Sequence, residues 1–109
     1  MSDFALNDKV QRAHRNVGAG NPVEGTLATG TDAYVKVLDV PDRTCGNLLV
    51  QVDTNDVVIS LDGGITDHLT VKADSSMVLT GLAIGAGVEV QAKNATASEN
   101  FTDLIVAVW

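Results

Sequence analysis

Leu48-Leu49-Val50-Gln51-Val52-Asp53-Thr54-Asn55-Asp56-Val57-Val58-Ile59-Ser60-Leu61-Asp62-Gly63-Gly64 is the stretch whose reading decides the fold class. Leu48, Val50 and Val52 alternate with Leu49, Gln51 and Asp53. Val57, Ile59 and Leu61 then alternate with Val58, Ser60 and Asp62. A period of two marks a strand with one face in a core and the other toward solvent. Thr54-Asn55-Asp56 parts the two runs with turn-forming residues, and Asp62-Gly63-Gly64 turns the chain after the second.

The same texture extends outward on both sides. Toward the N-terminus, Tyr34-Val35-Lys36-Val37-Leu38 reads as a strand stopped by Pro41. Toward the C-terminus follow Leu69-Thr70-Val71, Met77-Val78-Leu79, Val88-Glu89-Val90-Gln91-Ala92-Lys93 and Leu104-Ile105-Val106-Ala107-Val108-Trp109. About seven strands at roughly ten-residue spacing predict an all-β fold: one antiparallel β-sandwich or small barrel over residues 23–109. The last run is apolar on both faces, as suits a central strand or one covered by another subunit. Trp109 is expected to be pinned to the fold.

Residues 1–22 differ in kind. Ser2 or Asp3 can cap a helix, and Phe4, Val10, Ala13 and Val17 form a loose apolar stripe before Gly18-Ala19-Gly20-Asn21-Pro22 breaks it. A helix this short is marginal alone, so the segment reads as an extended or partly helical N-terminal arm. With so few large apolar residues it finds little to bury on its own domain, which points to a partner or a second copy.

The chain has 109 residues, enough for one domain. Of these 45% are apolar and 4% aromatic, so aliphatic side chains must fill the core, with at least two of Phe4, Tyr34, Phe101 and Trp109 expected to join them. Charged residues reach 19%, below the roughly 25% of ordinary soluble domains, and part of the surface is therefore expected to be covered by neighbours. The net charge of −7 argues against a nucleic-acid partner, which needs clustered Lys and Arg. Residues 1–22 carry Lys9, Arg12 and Arg15 against Asp3 and Asp8, a balance of +1, while residues 23–109 set four cations against twelve carboxylates, a balance of −8. A basic arm on an acidic body can pair with an acidic neighbour, including a copy of itself. No basic-then-apolar leader and no apolar run near the length of a membrane span is present, so neither secretion nor a membrane partner is expected. The sequons at Asn94 and Asn100 are read as chance.

Residues capable of chemistry are few. Cys45 is the only cysteine, which excludes an internal disulfide and a Cys-based metal site. Asp67 beside His68 could orient an imidazole for general-base work, but Ser60, Ser75 and Ser76 lack a nucleophile-elbow setting, and His68 reads as an exposed turn residue. Asp53, Asp56, Asp62 and Asp67 crowd two turns without the spacing of a calcium loop, and Asp is at home in turns for local reasons. Gly81, Gly85 and Gly87 match no phosphate-binding pattern and read as a strand connection. No catalytic residue, metal ligand or cofactor is assigned, and the chain is read as a binding protein.

One resemblance covers most of residues 23–109. The run Val57-Val58-Ile59-Ser60-Leu61-Asp62-Gly63-Gly64 resembles the apolar strand followed by Ser-Phe/Leu-Asp-Gly found in small tailed-bacteriophage virion proteins. A strand like residues 88–93 and a last strand ending in an aromatic, here Trp109, follow in that group. Such capsid decoration (cement) proteins imply a β-sandwich or barrel, often trimeric, that sits on the exterior of the virion and braces major capsid subunits after synthesis in the host cytoplasm. The contacts expected here are in the arm: Phe4, Leu6, Val10, Arg12 and Arg15. A head–tail adaptor or tail subunit, and a receptor- or glycan-binding module, are the rival readings. The last would need aromatics converging on one pocket.

Overall fold

The computed structural model describes residues 22–97 and 99–109. The helical stripe and the arm contacts Phe4, Leu6, Val10, Arg12 and Arg15 thus lie outside the described residues.

Eight strands run in chain order: β1 (Val23–Gly30), β2 (Val35–Asp39), β3 (Leu48–Val52), β4 (Val57–Ser60), β5 (Leu69–Val71), β6 (Ser75–Leu79), β7 (Glu89–Asn94) and β8 (Phe101–Val108). The described residues contain no helix. One sheet has the order β1-β8-β3-β6 and the other β2-β7-β4-β5, with every pair antiparallel. Its pairs β1·β8, β2·β7, β3·β6 and β4·β5 are those of one long hairpin folded at the β4–β5 connection. Rolling that hairpin so that β8 meets β3 and β7 meets β4 gives the eight-stranded jelly roll, two packed sheets with interleaved Greek keys.

The expected sandwich is present, and most strand assignments coincide within a residue or two. Leu48, Val50 and Val52 point inward, joined by Leu38, Ile59, Val71, Val90, Leu104, Val106 and Val108 in a core that is almost wholly aliphatic. Among the described aromatics Phe101 is fully buried, while Tyr34 and Trp109 are half-buried; Phe4 lies outside the described residues. β8 is central between β1 and β3, one of the two settings expected for a run apolar on both faces. Trp109 is pinned as expected: its N–H donates to the Asn47 carbonyl, and its carbonyl accepts from Gly46 N, Asn47 N and Asn47 Nδ2.

Three features differ from the sequence reading or add to it. β1 was not expected as a strand. Val23 and Leu27 are its only large apolar residues, because backbone and ring atoms occupy the space beside its glycines. A Cβ on Gly25 would lie 2.3 Å from the Val37 carbonyl, and one on Gly30 would lie 1.8 Å from Phe101 Cζ. Second, the Thr54-Asn55-Asp56 turn stands between β3 and β4 as expected, but with Asn55 at φ 62° it joins strands of different sheets, a connection that alternation alone does not specify. Third, Val58 and Ser60 are buried like Val57 and Ile59, although alternation placed them toward solvent. Thr70 and Lys93 flank Val58 in register, and the β4–β5 connection folds over Ser60.

Candidate functional site

The β4–β5 connection, residues 61–68, is built almost entirely from hydrogen bonds to side chains. Ser60 Oγ donates to Asp62 Oδ1 (2.8 Å) and accepts from Gly64 N (2.9 Å). Asp62 Oδ1 also accepts from Ile65 N at 3.2 Å and Thr66 N at 2.9 Å. Gly63 and Gly64, at φ 81° and 90°, supply the left-handed turn that lets one carboxylate reach both amides. Gly63 N donates to the Glu89 carbonyl, and Leu61 N donates to His68 Nδ1 at 3.0 Å. These bonds to the charged carboxylate, from Thr66 first, bring Asp62 down to about 2.

This loop holds Ile65 84% exposed, the most exposed large apolar side chain among the described residues. An apolar side chain on a loop with satisfied amides is preorganised for burial against another surface. Beside it, Tyr34 Oη donates to Asp67, and Lys93 Nζ lies 3.6 Å from Asp67 and 4.7 Å from the Tyr34 ring centroid. Burial and the Asp67 carboxylate push the Tyr34 phenol up, and the Tyr34 hydroxyl holds Asp67 below the usual carboxylate range.

The residues singled out in the sequence take structural parts. His68 is exposed, as read, and its Nδ1 accepts a backbone N–H, which fixes the tautomer with the proton on Nε2. Asp67 bonds Tyr34 and Lys93, so Asp67 and His68 do not form a dyad. Asp56 accepts from Ala73 N and Lys72 Nζ at 3.0 and 3.2 Å and ties the β5–β6 turn. The four turn carboxylates therefore serve separate places, and among the described residues no group of three His, Cys, Asp or Glu is arranged to hold a metal ion. Gly81, Gly85 and Gly87 lie in the β6–β7 connection, as read. Cys45 is buried, and that burial raises its thiol. Asn94 is buried too, with Nδ2 turned to the Thr96 and Glu99 carbonyls, so the first sequon presents no free amide.

A second surface was not foreseen. On the outer face of the β1-β8-β3-β6 sheet, Ala107, Leu49 and Val78 form one cross-strand row, with Ile105 and Gln51 in the next. Val78 is 57% exposed. Where β8 parts from β3 this face opens into a notch of about 390 Å³, lined by Gln51, Ser76 and Ile105 and by the carboxyl residues Asp53, Asp74 and Asp103. No cation among the described residues pairs with these three. They come from three separate elements, and only the register of β3, β6 and β8 brings them together.

A capsid component of a bacteriophage shares this fold. A chain of the cyanophage Pam1 capsid asymmetric unit superposes with a TM-score of 0.52 and 21% sequence identity over 81% of this chain and 82% of that one. No protein-family model and no curated protein matches the sequence.

Proposed function

We propose that this chain is a non-enzymatic structural protein of a bacteriophage virion, a decoration protein that binds major capsid subunits and its own copies on the outside of the head. The observation that carries this reading is the fold shared with a Pam1 capsid component over nearly equal shares of the two chains, 81% and 82%. Near-equal shares mean two chains of closely similar length, so the likeness is to a small subunit and not to one domain of a large one. The build of the molecule supports the same reading. Its polar residues are spent on shaping loops, and the best-built loop presents Ile65 to solvent. Burying such anchors adds little per copy, but many copies on one shell act together.

The test is co-sedimentation of the purified chain with heads of the phage that carries it. Saturable binding at many copies per head, with heads that then withstand higher temperature, is the expected result. Saturation at a few copies per particle would favour the head–tail junction or tail. Absence of binding to either structure at micromolar concentration would defeat the proposal.

A further inference from the structure

The outer face of the β1-β8-β3-β6 sheet has the makings of a receptor for a basic, amphipathic segment: an apolar row, Leu49 and Val78 with Ile105 beside it, running into a notch lined by three carboxylates. The chain itself carries a segment of that chemistry. Residues 1–21 precede β1 and hold Phe4, Leu6 and Val10 together with Lys9, Arg12 and Arg15. The segment's three cations, carried with Asp3 and Asp8, equal in number the three carboxylates that no described cation neutralises, and its apolar residues suit the apolar row. We infer that this face receives residues 1–21 of a neighbouring copy. This rests on reading those residues as a contact arm, and it adds where the arm goes.

The order of features decides between the chain's own arm and a neighbour's. β1 begins at Val23, opposite Val108 and in the row of Leu48 and Leu79. Moving along the sheet from there, the Leu49–Val78 row comes first. The notch at Asp103 comes five residues further along β8 than Val108, about 17 Å away at the usual rise of a strand. Moving back along the chain from Val23, Val17 comes first, the cations Arg15 and Arg12 follow, and Val10, Leu6 and Phe4 come last. A chain laid on its own face therefore brings only Val17 to the row before Arg15 and Arg12 reach the notch, and carries Val10, Leu6 and Phe4 past it. An arm that enters from the notch side instead sets Arg15 and Arg12 against the carboxylates and all three of Val10, Leu6 and Phe4 along the row. Such an arm comes from another body, and 21 residues, at most about 70 Å when extended, allow that reach.

The experiment uses full-length chains. One carries Arg15→Cys and a second carries Ser76→Cys, and they are mixed under oxidising conditions. Cys45 is fully buried and does not compete. The expected product is the mixed covalent dimer, in excess over either homodimer. A chain carrying both changes that cross-links only within itself, or a mixture with no mixed dimer, overturns the inference. A second measurement separates the face from the arm. Asp53→Asn/Asp74→Asn/Asp103→Asn removes the charge while suiting the left-handed backbone of Asp74 and Asp103, at φ 56° and 54°. This variant is expected to weaken self-association about tenfold at low salt, and less at high salt, where exposed charges are screened. If Lys9→Glu/Arg12→Glu/Arg15→Glu weakens association and the Asn variant does not, the arm binds elsewhere and the face is wrongly assigned. If neither does, the arm reading falls with it.

Discussion

Asp103 lies inside β8 with φ 54°, a conformation that costs an ordinary side chain about 1–2 kcal/mol but that Asp tolerates better than most. Its effect is to break the alternation of the strand. Val108, Val106 and Leu104 point inward at every second residue, yet Phe101, three residues beyond Leu104, is fully buried as well. Gly30 is its cross-strand partner and leaves the space that the ring fills. Gly30→Ala is therefore expected to destabilise the fold by about 1–3 kcal/mol through overpacking, and Phe101→Ala by about 3–5 kcal/mol through the cavity it leaves. The two should be strongly non-additive. With the ring gone, the added methyl has room, and most of the Gly30→Ala cost should vanish in the Phe101→Ala background. Urea denaturation of the four chains in this cycle reads the coupling directly. Additive losses would show that the ring does not occupy the Gly30 site.

At the scale of the element, the 61–68 loop ties shape to charge. Asp62 is held at about 2, below its ordinary value near 3.9. A depressed carboxyl contributes stability that is fully present above the unfolded value and lost as pH falls through the folded one, so the window lies between about pH 4 and pH 2. Thermal melts across that window should show a falling Tm in the parent and a shallower fall in Asp62→Asn. Some slope should remain, because Asp56 and Asp67 are also held low by hydrogen bonds. Ile65→Ser should leave stability within about 0.5 kcal/mol, as exposed substitutions do, while weakening binding to phage heads. Unchanged binding would remove Ile65 from the contact. The period of two made β2 to β8 legible in the sequence, since each strand carries its buried face in its own residues. β1 was hidden because its inward positions are partly glycine, chosen by what packs against them. The burial of Ser60 was hidden for a similar reason, since the covering loop lies beyond the strand. The notch could not be read at all, because Asp53, Asp74 and Asp103 are neighbours only once strand register is known.

At the scale of the whole molecule, the body is acidic and weakly charged for its size, and identical bodies repel unless something intervenes. The arm carries the opposite balance, so self-association should depend on ionic strength in a direction that reports its cause. If cations of one copy sit against carboxylates of another, raising salt from 0.1 to 1 M shortens the screening length from about 10 Å to about 3 Å and should drive the assembly apart. If burial of Val78 and Ile65 dominates, sulfate should instead hold it together by strengthening apolar contact. Light scattering on the eluting chain, repeated across that salt range, separates the two. We expect a closed trimer at low salt that dissociates as salt rises. A trimer indifferent to chloride would assign the contact to apolar burial. A monomer at every salt concentration would mean that the copies meet only on the head, where the shell and not the arm brings them together.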